Sequence, residues 1–273
     1  MKTIKYRSRG PEVRFLEEIL SDMDYQVFVS NYFGLDTHHA IWNYQQKNDL
    51  VVDGIVGLKT WSKLLEQNPE VLQQNNKLLA EQDLIAFGKE YDLELATVKA
   101  VNEVESSGKG FLADGRAKIL FEGHVFWRQL KQRGIDPNDY YNQQTSNVLY
   151  PEWTRNHYKG GGAEYDRLQK AVNIDTKAEF EEAAYSSASW GAFQIMGYHA
   201  QNLGYPSVKD FVQKMQKHER EHLKAFGRFL ATNNLIRHLK QKDWAKFARG
   251  YNGPAYAQNH YDVKLQRAYE RYK

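Results

Sequence analysis

The chain has 273 residues and no cysteine, which excludes disulfide bonds and thiolate chemistry. Its formal net charge is only +3, with 26% charged and 14% aromatic residues, a balance too mild to indicate nucleic-acid binding and typical of a globular protein. The sequence contains no run long and apolar enough to span a bilayer, and MKTIKYRSRG at the start lacks the apolar core of a signal peptide.

Residues 1–66 predict three short helices in a compact bundle. Pro11 suits the first turn of the first helix, and the pair Asp36-Thr37 is a suitable cap for the second. The glycine turns of DGIVG, residues 53–57, precede a third helix that carries Trp61. The apolar residues predicted to share the core are Val13, Leu16, Ile19, Leu20, Ala40, Ile41, Tyr44, Leu64 and Leu65.

A polar stretch rich in glutamine and asparagine, residues 67–77, reads as a linker or a short connecting helix. The remaining residues, 78–273, form a larger and mostly helical unit. Helices are predicted over 78–90, 93–106, 118–133, 164–171, 177–186, 207–232, 240–249 and 258–272. We expect a mainly α fold, all helical in the second unit or with a very small β-hairpin there.

The segment AVNEVESSGKGF, residues 100–111, runs an apolar helical face into a carboxylate. Val98, Val101 and Glu105 share one helix face, and Gly108 is a suitable stop. Burial and the negative end of the helix dipole both disfavour the charged form of Glu105, so its pKa should rise toward the range of a general acid. The alternative is a capped helix end with an ordinary solvated glutamate.

Residues 218–222 read HEREH, which matches the H-E-x-x-H pattern of zinc hydrolases. A third ligand is not supplied by any recognisable motif. The neighbouring basic residues, which predict a solvated helix, are Lys214, Lys217, Arg220 and Lys224. We therefore expect no metal and no other cofactor.

The first unit resembles the peptidoglycan-binding domain of cell-wall enzymes. GPEVRFL, THHAIWNYQ and DGIVGLKTWSKL match its opening, its central helix and its ending. Glu17 and Tyr44 depart from the residues common in that family, and we expect these departures to affect ligand preference more than fold. The residues to which the resemblance assigns wall binding are Asp53, Gly54, Gly57 and Trp61.

The second unit resembles the N-acetylmuramidase domain of modular bacteriophage endolysins, a branch of the lysozyme superfamily. Four segments carry the resemblance in order: VESSGKGF, ILFEGHVFWR (residues 119–128), SWGAFQIMG and ARGYNGPAY. The implied fold is a three-helix peptidoglycan-binding bundle followed by a larger lysozyme-like α-helical domain.

Glycoside hydrolysis needs a proton donor and either a carboxylate nucleophile or a base that activates water. The motif match makes Glu105 the donor. Glu122, which interrupts an apolar run, is the best candidate for the second carboxylate, with Asp114 a weaker one. Two alternatives stay open: a buried Glu122 paired with a basic residue (Arg116, Lys118 or Arg128), and a single essential acid.

The same motifs suggest residues that bind the glycan. Gln194 offers a donor and an acceptor to sugar hydroxyls, and Gly191 would let the backbone approach the substrate. Tyr251 has a ring to pack on a sugar, while Asn252 shapes the adjacent loop. Phe193 belongs to the same cleft-lining segment.

The implied function is hydrolysis of the β-1,4 bond between N-acetylmuramic acid and N-acetylglucosamine, for host cell lysis. Lytic transglycosylation, which leaves 1,6-anhydro ends, is the alternative chemistry. A wall-binding protein that has lost activity is the alternative from another class.

We expect synthesis in the host cytoplasm and action on peptidoglycan in the periplasm after another protein permeabilises the membrane. The partner is peptidoglycan, with no nucleic acid, and we expect a monomer. The basic C-terminal stretch HYDVKLQRAYERYK fits a packed last helix, which we favour, or a weak contact with outer-membrane phosphates.

Overall fold

The computed structural model describes residues 3–69, 77–106, 110–112 and 114–273. The chain forms two compact units. One comprises Met1–Asn76 with Phe111–Arg116, and the other comprises Lys77–Gly110 with Ala117–Lys273. The fold is mainly α, as predicted. The domain boundaries that we drew from composition stay a prediction.

The first unit contains the three predicted helices. They are α1 (Pro11–Asp22), α2 (Leu35–Lys47) and α3 (Leu58–Gln67). The predicted apolar positions form its core; Val13, Leu16 and Ile41 are fully buried, and only Leu65 of the set lies at the margin. Isolated bridges of Ile4 with Val56 and of Arg9 with Tyr32 close the bundle.

Two expectations for this unit were wrong. Helix α2 begins after Gly34, so Asp36 and Thr37 lie in its first turn instead of capping it. Glu17, expected to tune ligand preference, is fully buried and accepts hydrogen bonds from the Thr37 hydroxyl (2.9 Å) and the Ser30 amide (2.5 Å). These bonds connect α1 to α2 and to the loop before α2, so the role of Glu17 is structural.

The second unit is built from ten helices within the described residues and a small sheet. In chain order the helices are α4 (Glu81–Tyr91), α5 (Leu95–Glu105), α6 (Gly123–Gln132), α7 (Ala163–Val172), α8 (Ala178–Ser186), α9 (Val208–Met215), α10 (Glu219–Thr232), α11 (Ile236–Lys240), α12 (Trp244–Asn252) and α13 (Tyr261–Tyr272). Short 3-10 helices cover Pro137–Asp139, Gly197–His199 and Pro254–Asn259.

Three short antiparallel strands lie in the order β1 (Ile119–Phe121), β2 (Ala188–Trp190) and β3 (Ile195–Met196). Leu120 pairs with Ser189, and Ser189 pairs with Met196 on its other side. The predicted small hairpin is therefore present as β2 and β3, with one strand added.

The helix predicted over 118–133 was wrong in its first turn. Residues Ile119–Phe121 form β1 because they pair with β2, and the amide of Glu122 continues this contact by donating to the Ser187 carbonyl at 3.0 Å. Likewise, the helix predicted over 207–232 is two helices. His218 has an extended backbone between them, and its ring accepts a hydrogen bond from the Arg220 amide, which starts α10.

The C-terminal helix α13 packs along α5. Leu265, Ala268 and Tyr269 are buried, whereas Lys264 and Arg267 are exposed. This arrangement is the packed helix with a solvated basic side that we favoured. Among the described residues, helices fall short of the length and apolarity that crossing a lipid bilayer requires.

Candidate active site

Glu105 lies in the last turn of α5, as predicted, and is its final residue, one position before the predicted end. Val98 and Val101, on the same helix face, are 2% and 3% exposed. Ser106 follows with an extended backbone (φ −78°, ψ 125°), which ends the helix. The predicted helix stop, Gly108, lies outside the described residues. The buried face therefore carries the Glu105 carboxyl into the protein interior at a helix end.

The environment of Glu105 favours its protonated form. Burial raises the pKa of Glu105 to about 7. Two weaker effects oppose this rise: a hydrogen bond from Asn252 and the charge of Lys264. Asn252, at the end of α12, donates from its side-chain nitrogen toward both carboxylate oxygens at 3.2 and 3.3 Å. A carboxyl with a pKa near 7 can deliver a proton at neutral pH.

A cleft of about 640 Å³ opens on this carboxyl. The strand β3, the 3-10 helix Gly197–His199, and the ends of α5 and α12 contribute to its walls. Its lining residues are Val104, Glu105, Phe193, Gln194, Ile195, Met196, Tyr198, His199, Phe229, Tyr251, Asn252 and Tyr261. Five residues predicted from separate motifs therefore meet here: Glu105, Phe193, Gln194, Tyr251 and Asn252.

Tyr251 is part of the wall of this cleft. Its hydroxyl donates to the Phe193 carbonyl at 3.0 Å. Its ring lies parallel to Phe247 at 6.0 Å and at right angles to Phe226 and Phe229. Phe193 stacks on Phe226 with ring centroids 4.3 Å apart. Most of the Tyr251 ring is thus used for packing, and the residue ties the Phe193 loop to α12.

Gln194 and Gly191 also have structural partners. Gln194 adopts a left-handed backbone (φ 49°), its side-chain oxygen accepts from the Ser189 hydroxyl at 2.8 Å, and its nitrogen donates to the Gly191 carbonyl at 2.7 Å. A Cβ on Gly191 would lie 2.7 Å from the His222 ring. The His222 ring therefore gives the glycine a structural reason, and the close substrate approach that we expected stays a prediction.

Glu122 lies at the start of α6, apart from the residues that line the Glu105 cleft. Its carboxylate accepts a hydrogen bond from the Tyr158 hydroxyl at 2.7 Å and lies 3.3 Å from the His124 ring nitrogen. Burial, followed by this hydrogen bond, raises the pKa of Tyr158, so the tyrosine stays a donor. The partners of Glu122 are therefore Tyr158 and His124, not a basic residue of the set considered above.

The second histidine of HEREH is a core residue. His222 is 1% exposed, and burial lowers its pKa to about 4, so the ring is neutral. Nδ1 accepts from the Ala192 amide at 3.2 Å, and Nε2 lies 2.6 Å from the Met215 carbonyl, to which it donates. Both ring nitrogens are therefore engaged with the backbone.

Glu219 of the same motif holds two segments together. Its carboxylate accepts from the amides of Leu79 (2.9 Å) and Gly110 (2.5 Å). Over the described ranges, no group of three or more His, Cys, Asp or Glu side chains is arranged to hold a metal ion. HEREH thus has a structural explanation that follows from burial.

In the first unit, the predicted wall-binding residues fall into two groups. Trp61 is 2% exposed and stacks on Phe15, so its assignment to the binding surface was wrong. Asp53 is exposed and Gly54 is buried in a turn that Gln45 supports: its amide nitrogen donates to the Asp53 carboxylate and its oxygen accepts from the Gly54 amide. Gly57 begins α3 with open space around its α-carbon.

An exposed tryptophan next to this turn was missed. Trp42 is 50% exposed, and its ring lies 5.5 Å from that of His38. A Cβ on Gly54, whose φ is 68°, would lie 2.3 Å from His38 and 2.8 Å from Trp42. On α2, Trp42 directly follows the buried Ile41 and so lies off the apolar face of the helix, which was the sequence signal that could have identified it as exposed. No comparable sequence pattern indicated that Lys264 would lie near Glu105.

Comparisons with known proteins agree with this layout. The family model of N-acetylmuramidases matches residues 94–273, and that of a putative peptidoglycan binding domain matches residues 9–64. The crystal structure of the Burkholderia AP3 phage endolysin is 40% identical, with a TM-score of 0.67, and each chain covers 99% of the other.

A more distant relative is N-acetylmuramoyl-L-alanine amidase CwlM of Mycobacterium tuberculosis (strain ATCC 25618 / H37Rv), 27% identical over 121 residues. The match covers 43% of this chain and 29% of that protein, so less than a third of the relative is involved. With the Glu105 cleft and the full-length endolysin match, the chain belongs to the N-acetylmuramidase family of peptidoglycan-acting glycoside hydrolases, with a peptidoglycan-binding domain ahead of the muramidase domain.

Proposed function

We propose that the chain is an endolysin that hydrolyses the β-1,4 bond between N-acetylmuramic acid and N-acetylglucosamine, with Glu105 as proton donor. The observation that carries the proposal is the buried Glu105 carboxyl, with its pKa raised to about 7, at the floor of a cleft in a muramidase domain. Protonation of the leaving oxygen is the step that such a carboxyl performs.

Asn252 is proposed to position this acid. Because its amide donates toward the carboxylate, it also stabilises the anion that remains after proton transfer. The hydrogen bond from Tyr251 to Phe193 holds the Phe193 wall of the cleft at a fixed place relative to α12. Gln194 and Phe193 are proposed to contact the glycan from that wall.

Glu122 as the second carboxylate stays a prediction from the sequence. Its hydrogen bond to Tyr158 and its place outside the cleft lining support the single-acid alternative, in which water attacks without a dedicated base. The absence of a second carboxylate from the residues that line the cleft, as far as the structure describes them, supports the same alternative.

The first unit is proposed to hold the enzyme at the wall through the Asp53–Gly54 turn and Trp42. A solvated tryptophan beside a rigid turn presents an apolar face on which a sugar ring can pack. Attachment at the insoluble wall raises the local concentration of the catalytic unit. By resemblance to the phage endolysin, we propose that the enzyme acts in the host periplasm after membrane permeabilisation, for host cell lysis, as a monomer.

The test is mass spectrometry of soluble products from purified peptidoglycan digested by wild type, Glu105→Gln, Glu122→Gln and the control Glu103→Gln, each with and without EDTA. Glu103 lies on the same helix and is paired with Arg271 and Tyr272 at the surface. We expect reducible muramic ends from wild type and Glu103→Gln in both buffers. Glu105→Gln should lose at least about a hundredfold in rate.

Other products would change the assignment. Anhydro ends would identify a lytic transglycosylase, and freed peptides or sensitivity to EDTA would identify a different enzyme class. Loss of activity in a folded Glu122→Gln variant would assign the second carboxylate, while retained activity would establish a single essential acid.

A further inference from the structure

A second groove of about 650 Å³ lies beside the Glu105 cleft in the same unit. Residues of helix α6, helix α8 and the 3-10 helix Gly197–His199 line it. Tyr198, 42% exposed, lines both this groove and the Glu105 cleft. The two spaces therefore adjoin at Tyr198, and we call the second one the Arg128 groove.

The Arg128 groove is lined by guanidinium and amide groups. Arg128 on α6 is exposed and, among the described residues, makes no hydrogen bond or ion pair with another side chain. Arg133, one turn and a half further on, is half-buried and preorganised. Its guanidinium donates to the Gln129 side-chain oxygen at 2.7 Å and to the Ser186 hydroxyl at 3.3 Å. The side-chain amides of Gln132 and Gln201 also line the groove.

These groups have a defined chemical preference. Guanidinium groups bind carboxylates through two parallel N–H donors, and side-chain amides pair with the N–H and C=O groups of a peptide backbone. One carboxylate, that of Glu182, lies on the same lining and offers a place for an amino group. The groove thus suits a short peptide that carries carboxylates and an amine better than it suits an uncharged sugar chain.

Peptidoglycan carries such peptides on its muramic acid residues. The bond that the enzyme is proposed to cut adjoins a muramic acid, so the stem peptide of that sugar leaves the glycan close to the reacting centre. We propose that the Arg128 groove binds the anionic stem peptide of the muramic acid next to the scissile bond, with Arg128 pairing with a peptide carboxylate. This inference rests on the proposed muramidase function.

The test compares full-length wild type, Arg128→Ala, Arg128→Glu and Arg267→Ala on two substrates. One is peptidoglycan with its peptides, and the other is the same glycan after an amidase has removed them. Arg267 is an exposed arginine on α13 that lines neither groove, so it serves as the matched control. The readout is kcat/KM for release of reducing ends on each substrate.

We expect wild type and Arg267→Ala to prefer the peptide-bearing substrate by the same ratio. Loss of one partly exposed charge-assisted pair should lower that ratio about three- to tenfold in Arg128→Ala, and more in Arg128→Glu. Misfolding would lower both rates together and leave the ratio unchanged, and circular dichroism of each variant identifies that case, in which the uncharged Arg128→Gln takes the place of the alanine variant.

Three results would overturn the inference. An unchanged ratio in folded Arg128 variants would remove the peptide site while leaving the muramidase function intact. Equal losses on both substrates in folded Arg128 variants, absent from Arg267→Ala, would mean that the groove binds the glycan itself. Failure of wild type to release reducing ends from either substrate would refute the proposed function and this inference with it.

Discussion

The carboxyl group of Glu105 lies where burial and hydrogen bonding act on it in opposite directions. Burial raises its pKa to about 7, and the Asn252 amide and the Lys264 charge pull it back. A solvated glutamate would be almost fully ionised at neutral pH, whereas this one is about half protonated there. The same feature makes Glu105 costly to the folded state, because its charged form is stabilised less in the protein than in water.

Replacement of Glu105 by glutamine should therefore stabilise the second unit in a pH-dependent way. Between pH 4.5 and about 7 the folded chain retains a proton that the unfolded chain has lost, so the free energy of unfolding falls as pH rises through this window. The full difference corresponds to about 3 kcal/mol. We expect Glu105→Gln to gain about 1–3 kcal/mol at pH 8 and little at pH 4, measured by denaturant unfolding.

Glu103→Gln is the control for this measurement. Its carboxylate pairs with Arg271, which lowers the pKa of Glu103, so neutralising it should give no gain at pH 8. A gain of similar size in both variants would show that burial of Glu105 is not the cause.

The activity should fall as pH rises through about 7, because the acid must be protonated to act. Lys264 is exposed, and its charge favours the ionised form of Glu105. Lys264→Gln should accordingly move the alkaline limb of kcat/KM to higher pH, most clearly at low ionic strength. Arg267→Gln on the same helix should leave the limb in place, and an identical shift in both variants would contradict a local effect.

At the scale of elements, short-range patterns predicted the helices well and long-range pairing changed the rest. The periodicity that placed α1, α2 and α5 depends on residues within two turns of each other. The first turn predicted for 118–133 became β1 because its backbone pairs with β2, about 70 positions further along the chain. Such pairing is invisible in a local window, and the same is true of the break at His218.

The turn at Gly54 requires a residue without a Cβ. The backbone φ of Gly54 is 68°, and a Cβ added there would lie 2.3 Å from the His38 ring. Gly54→Ser should therefore destabilise the first unit by about 1–3 kcal/mol. Gly57→Ser is the matched control, since its α-carbon faces open space and serine is a favourable residue before a helix. We expect it to change the free energy of unfolding by less than about 0.5 kcal/mol. Thermal unfolding of both variants is the measurement, and equal losses would refute this account.

At the scale of the whole molecule, the chain combines a peptidoglycan-binding domain with a muramidase domain. The two family models match in this order along the chain. Because peptidoglycan is insoluble, attachment changes the rate on intact walls much more than the rate on soluble fragments. The proposed wall contact can therefore be separated from catalysis by the choice of substrate.

Trp42→Ala should lower binding to insoluble peptidoglycan and the rate on it about three- to tenfold, as expected for the loss of one aromatic contact. The rate on soluble glycan fragments should stay the same. Phe28→Ala is the control, because Phe28 is 75% exposed in the same unit and lies outside the turn that we assign to the wall. A pull-down with purified walls measures the binding, and equal effects of the two variants would argue against a specific surface.

The sequence alone determined the three helices of the first unit, the place of Glu105 in the last turn of α5 and the family, because each depends on apolar periodicity, turn residues or contiguous motifs. Only the tertiary structure decided which of the predicted site residues line a cleft large enough for a substrate. It brought Asn252 and Lys264 to Glu105 from about 150 positions away, and it buried Trp61, Glu17 and His222 in cores. Burial and pKa depend on every element packed around a side chain, and a sequence pattern records only the element that carries it.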